Sequence, residues 1–131
     1  MAPLCMDVGK VKRWSVFEYM YRDAGNWKTP GHVLLRGQDP RAEGVIRRSL
    51  DWGEQFVAEQ VGVPSLCAAH FASVGEGPTD LDHAFHEFIA LRAATQAEVA
   101  HSPWGRLDSL VVAIARCRGR WDVSLSPNHF G

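Results

Sequence analysis

From Val11 to Arg22 the chain is rich in aromatic and β-branched side chains and contains no glycine or proline, the composition of a strand. Asp23-Ala24-Gly25-Asn26 follows as a run of turn formers. A second extended stretch starts at Trp27, is interrupted at Pro30-Gly31, and resumes from His32 to Arg36. Together these predict an antiparallel hairpin. Asp39-Pro40 then offers an N-cap and a first-turn proline to a segment in which Ala42, Val45, Ile46, Ser49 and Leu50 recur at helical spacing, so a helix ending near Gly53 is expected. Its apolar stripe needs a surface to cover, and one face of the hairpin can supply it.

Asp80 to Ala100 can be read in two ways. It lacks glycine and proline and could be a helix opened by a Thr79/Asp82 capping box. Alternation competes: Phe85, Glu87, Ile89 and Leu91 would share one strand face and His86, Phe88 and Ala90 the other. A strand from about Ala84 to Arg92 is preferred, followed by a short helical or irregular piece. Leu107, Leu110, Val111 and Ile114 mark an amphipathic helix over Arg106 to Arg118, and Trp121 to Leu125 could add an edge strand. The expected fold is α+β, an antiparallel hairpin-based sheet packed by two amphipathic helices in the order ββαβα. It forms a single domain over 1–131 with loose tails at 1–10 and 126–131.

Composition changes this picture little. With 46% hydrophobic and 22% charged residues the chain is neither disordered nor membrane-like, and its longest apolar run is far short of a bilayer span. Met1 to Lys10 lacks the pattern of a secretory signal, and Cys5, Cys67 and Cys117 are odd in number and scattered, which points to reduced thiols and a cytoplasmic location. Charge is more informative. The net value of −1 conceals +4 over residues 1–50, −7 over 51–98 and +2 over 99–131, and the acidic middle suits a basic partner or a cation.

Three strings stand out: Tyr21-Arg22-Asp23-Ala24-x-Asn26-Trp27-Lys28, Gly53-Glu54-x-Phe56-x-x-Glu59-Gln60-Val61-Gly62-x-Pro64, and Asp82-His83-x-Phe85-His86-Glu87-Phe88. In these the chain resembles small bacterial proteins of unassigned function, over roughly residues 14 to 92. The resemblance implies no activity, cofactor or partner, and favours a strand over residues 84 to 92.

The sharpest metal-like spacing is Cys67-x-x-His70, twelve residues, then His83-x-x-His86, two ligand pairs of the kind a tetrahedral zinc site uses. On a strand, however, His83 and His86 would point to opposite faces. A narrower cluster of Asp82, His83, His86 and Glu87, with Glu54 or Glu59 brought alongside, could hold a divalent ion such as zinc and activate water for phosphodiester or similar hydrolysis. No nucleophile elbow or phosphate-binding glycine loop is present.

Nucleic acid could be met by Arg47-Arg48, by Arg116 to Trp121, or by Trp14, Tyr19 and Tyr21 on an exposed hairpin face, but the sequence pI near 6.6 is not that of such a protein. The hairpin tip, with Tyr21, Arg22, Asp23, Asn26, Trp27 and Lys28, has the make-up of a protein-binding surface. Five tryptophans exceed what a core of this size needs, so at least one or two should be exposed. The leading expectation is a small regulatory protein, an inhibitor or accessory subunit, that binds a protein through residues 21–28, Asp82 and the acidic 51–87 segment. The rival is the metal-dependent hydrolase.

Overall fold

A computed structural model describes residues 13–127. β1 (Trp14–Arg22) and β2 (Lys28–Arg36) pair antiparallel over their full length, Trp14 opposite Arg36 and Arg22 opposite Lys28. α1 (Ala42–Ser49), β3 (Gln55–Val57), α2 (Ala58–Val61) and α3 (Cys67–Val74) follow. β4 (Phe85–Ala93), β5 (Gly105–Arg106) and α4 (Leu107–Arg116) complete the chain. The sheet order is β3-β4-β1-β2-β5, antiparallel except for the short β2–β5 pair. The fold is mixed α+β, with four helices rather than the two expected.

Period-2 alternation sets the two faces of the sheet. Ser15, Phe17, Tyr19 and Tyr21 of β1 are buried on one face, where Phe17 and Tyr19 join Val33, Leu35, Phe56, Phe88, Ile46, Leu110 and Ile114 in one core. The apolar stripes of α1 and α4 close that core. On the other face Val16, Leu34 and Ala94 form a smaller cluster, over which Arg92 clamps Glu98 with contacts of 2.7 and 2.8 Å and reaches Glu18 at 3.2 Å.

Several local expectations change. The hairpin does not break at Pro30-Gly31. Pro30 pairs with Met20 beyond the reach of β5, where β2 is an edge and the missing N–H costs nothing. In β4 the alternation is not uniform. Glu18 faces Ala90 and Tyr19 faces Phe88, so Ile89 is an extra, bulged residue, and Leu91 turns back to the face of its partner Phe17. Residues 121–125 form no strand; a 3₁₀ turn runs from Val123 to Leu125, capped by the Asp122 carboxylate on the Ser124 amide. Ser126 is buried and bonded to Glu59, so the C-terminal segment is docked at least to that residue. Of the tails expected at 1–10 and 126–131, residues 1–10, with Cys5, and 128–131 lie outside the described residues.

Candidate functional site

The expected hairpin tip and acidic segment meet at one end of the sheet. Tyr21 points to the core face, and two residues on, with the same parity, Asp23 leaves the strand in the same direction. Asp23 is only 8% exposed. Its Oδ1 accepts the Trp27 amide, which shapes the turn, and its Oδ2 lies 2.9 Å from His70 Nε2. Burial alone would raise the Asp23 carboxyl. Hydrogen bonds from His70 and from the Trp27 and Gly25 amides outweigh it and hold the group below the ordinary aspartate range.

His70 comes from α3. Cys67, His70, Phe71 and Val74 fall at i, i+3, i+4 and i+7, and Gly75 stops the helix in the left-handed region, its N–H bonding to the Phe71 carbonyl. Cys67 and His70 are therefore the buried face of a helix. His70 Nδ1 contacts the Thr29 hydroxyl of β2 at 2.9 Å, so the ring bridges the hairpin on both sides. Gly31 makes room for the start of α3, because a Cβ there would lie 2.6 Å from a Leu66 methyl.

Asp82 arrives from the loop before β4. Thr79 and Asp82 do make a capping turn, with the Thr79 amide bonded to Asp82 Oδ2 at 2.8 Å, but a strand and not a helix follows. Tyr21 donates to Asp82 Oδ1 at 2.7 Å and accepts the His83 amide at 3.1 Å. Burial first, then the Asp82 hydrogen bond, push the Tyr21 phenol well above its usual range, so it remains a donor. The loop is further tied to the hairpin by the Ala24 amide on the Leu81 carbonyl at 2.9 Å.

One ligand atom each from Asp23, His70 and Asp82 lies within 4.8 Å of the others, and this is the only such group of three among the described residues. Asp23 and Asp82 border a cleft of about 350 Å³ whose walls include Trp27, Val74, Glu76 and Leu81, while His70 lies buried behind them. Carboxylates gathered this closely favour a positive charge beside them.

The other expected ligands are placed differently. Cys67, His83 and His86 do not join His70 in a four-ligand set. His83 Nε2 donates to the Arg22 carbonyl at 2.7 Å and its Nδ1 accepts the Phe85 amide at 3.1 Å, so both nitrogens are used. His86 is fully buried, accepts the Leu66 amide on Nε2 at 2.9 Å, and lies 3.3 Å from the Ala84 carbonyl through Nδ1. Burial pushes its pKa down to about 4, leaving a neutral ring that satisfies an amide at the start of α3.

Glu87 lies on the opposite face of the sheet, 3.1 Å from Arg22 Nε. Glu54 is exposed, Glu59 is bonded to Ser126 and close enough to His86 for its charge to act on that ring, and neither joins the histidines in a three-ligand group. Burial raises the thiols of Cys67 and Cys117 above the usual range, which leaves neither activated.

At the hairpin tip, Arg22 is held by Glu87 and by Asn26 Oδ1, and Asn26 sits at φ 71° to make the turn. Tyr21 and Asp23 face inward. Trp27 (67% exposed) and Lys28 are left to solvent. Trp52 and Trp104 are exposed as well, in line with the tryptophan count. Tyr19 and Tyr21 lie under the helices, so they form no stacking platform for bases. No helix among the described residues is long and apolar enough to cross a membrane.

No protein-family model, no curated protein and no solved structure matches the chain.

Proposed function

We propose that the protein is a small binding module, a regulator, inhibitor or accessory subunit, that docks another protein through the cleft between the hairpin turn and residues 75–82. The supporting observation is the make-up of the cleft: exposed Trp27 and Leu81 flank walls that carry Asp23, Asp82 and Glu76. Aromatic anchors beside a pocket are the residues that most often carry binding energy. The matching partner segment presents a Lys or Arg to the acidic groups and an apolar neighbour to Trp27, and a cation over that indole adds about 0.5–2 kcal/mol.

The test is partner capture by the whole protein carrying Trp27→Ala with Leu81→Ala, against Trp52→Ala as an exposed tryptophan control outside the cleft. The expected outcome is a loss of about 30-fold or more in affinity for the first and none for the control, as for a binding hot spot of about 2 kcal/mol. Binding that survives the cleft variant and is lost in the control refutes the reading.

A second reading, metal-dependent hydrolysis, is favoured by the Asp23, His70 and Asp82 grouping, since a cation held there would acidify bound water beside an open cleft. Its centre would be these three residues, in place of the expected His83, His86, Glu87, Glu54 and Glu59. Turnover of an activated phosphodiester in Zn²⁺ or Mn²⁺, abolished by His70→Gln, is the outcome that would support it.

A further inference from the structure

We infer that Asp23, His70 and Asp82 form a binding site for one divalent first-row metal ion, with Zn²⁺ the best chemical fit. The inference concerns the protein alone: it rests on the same cleft as the docking reading but needs neither a partner nor hydrolytic activity.

The donor set comes first. Two carboxylate oxygens and one imidazole nitrogen are borderline-hard ligands suited to Zn²⁺, and three protein ligands with an open fourth position is the arrangement of zinc sites that keep a water. Tetrahedral ligands about 2 Å from an ion lie about 3.3 Å from one another. Donors already within 4.8 Å of one another would have to close by up to about 1.5 Å to reach that spacing. A dication facing two aspartates and a neutral imidazole also cancels their charge, where Glu76 on the cleft wall adds a further acid.

The outer contacts are the second, independent argument. Metal-bound histidines are oriented by a hydrogen bond at the other ring nitrogen, and bound carboxylates are themselves held. Each element of that support is in place. Thr29 Oγ1 meets His70 Nδ1 at 2.9 Å, and a hydroxyl can accept from Nδ1–H as readily as it donates to Nδ1, so the ring proton that Nε2 shares with Asp23 can move to Nδ1 when an ion takes Nε2. Asp82 is fixed by Tyr21 through one oxygen and by the Thr79 amide through the other. Asp23 is fixed by the Trp27 amide through Oδ1, so that Oδ2 is the oxygen presented to His70. Three residues distant in sequence, from a hairpin turn, a helix and a loop, are thus each held by further hydrogen bonds and brought within 4.8 Å of one another. The cleft gives an ion its route in and room for water as a further ligand.

The test uses untagged full-length protein, stripped with chelator and titrated with Zn²⁺ by calorimetry and with Co²⁺ by visible absorption. The expected result is one saturable equivalent with the Co²⁺ spectrum of a low-coordinate site. Thr29→Val should weaken binding about 10-fold by removing the outer support of His70, and Asp82→Asn should weaken it further. His70→Gln disturbs a buried contact and could unfold the chain, so Asp82→Asn, in a half-exposed loop, carries the decision if it does. Exposed His32 and His101, replaced together by Gln, should leave binding unchanged. Absence of saturable binding overturns the inference. So does one equivalent that survives Asp82→Asn and is lost with His32 and His101.

Discussion

His86 offers a quantitative check on the buried end of this site. Its ring lies among Tyr21, Phe56 and Tyr19 at centroid distances of 5.5, 6.0 and 6.1 Å, and both nitrogens are committed. Burial lowers its pKa from 6.5 to about 4. The unfolded chain therefore binds a proton at His86 from near pH 6.5 downward while the folded chain does not, so stability falls with falling pH across that window and levels off below about pH 4.

Each unit of difference is about 1.4 kcal/mol, so this residue alone removes about 2 kcal/mol by pH 5 and about 3 kcal/mol once the folded pKa is passed. Urea unfolding at pH 8 and pH 5 on the wild type and on His86→Gln isolates the effect, since Gln keeps an oxygen for the Leu66 amide but cannot charge. The expected result is a wild-type loss about 2 kcal/mol larger than that of the variant. Equal losses in the two proteins would show that His86 is not held neutral, and the account of α3 docking would fail with it.

Other outcomes follow from the packing. Gly31→Ala places a methyl 2.6 Å from Leu66 and should cost about 1–3 kcal/mol in chemical unfolding, with coupling to Leu66→Ala that recovers part of the loss; strict additivity would contradict the contact. Arg92 holds the Glu98 carboxyl down to about 2, so Glu98 supports the fold above its ordinary pKa and loses that contribution as pH falls toward 2. Because the pair is partly exposed, Glu98→Gln should cost only about 1 kcal/mol, and less at high salt. A cost unchanged by salt would count against an ionic clamp.

Much of the fold is legible in the chain. The glycine- and proline-poor run to Arg22, the Asp23 to Asn26 turn and the 3.6-period stripes at Ile46 and Ile114 foretell β1, the hairpin, α1 and α4, because each is local. The bulge at Ile89 is not, since the register depends on how β1 lies alongside. α3 was readable from Cys67, His70, Phe71 and Val74, yet the same residues mimic metal-ligand spacing, and only burial decides between the two.

The site divides in the same way. Asp82 is expected from the acidic, histidine-bearing string. Asp23 looks like a turn former, and its parity with Tyr21 is the only sequence sign that it faces inward. His70 joins them through a helix packing across the sheet, a pairing at 47 residues' separation that no local pattern encodes. His83 and His86, the most conspicuous candidates, are instead occupied by backbone groups.

The central claim, that function resides in the cleft rimmed by Trp27 and Leu81, is tested most directly by photocrosslinking in cells. A photoreactive residue is placed at position 27 in one protein and at position 52 in another, both being exposed tryptophan sites remote in sequence. The account expects a single protein partner captured in stoichiometric yield from position 27, through a basic segment, and no capture of that partner from position 52. Capture from position 52 with none from position 27 would contradict it.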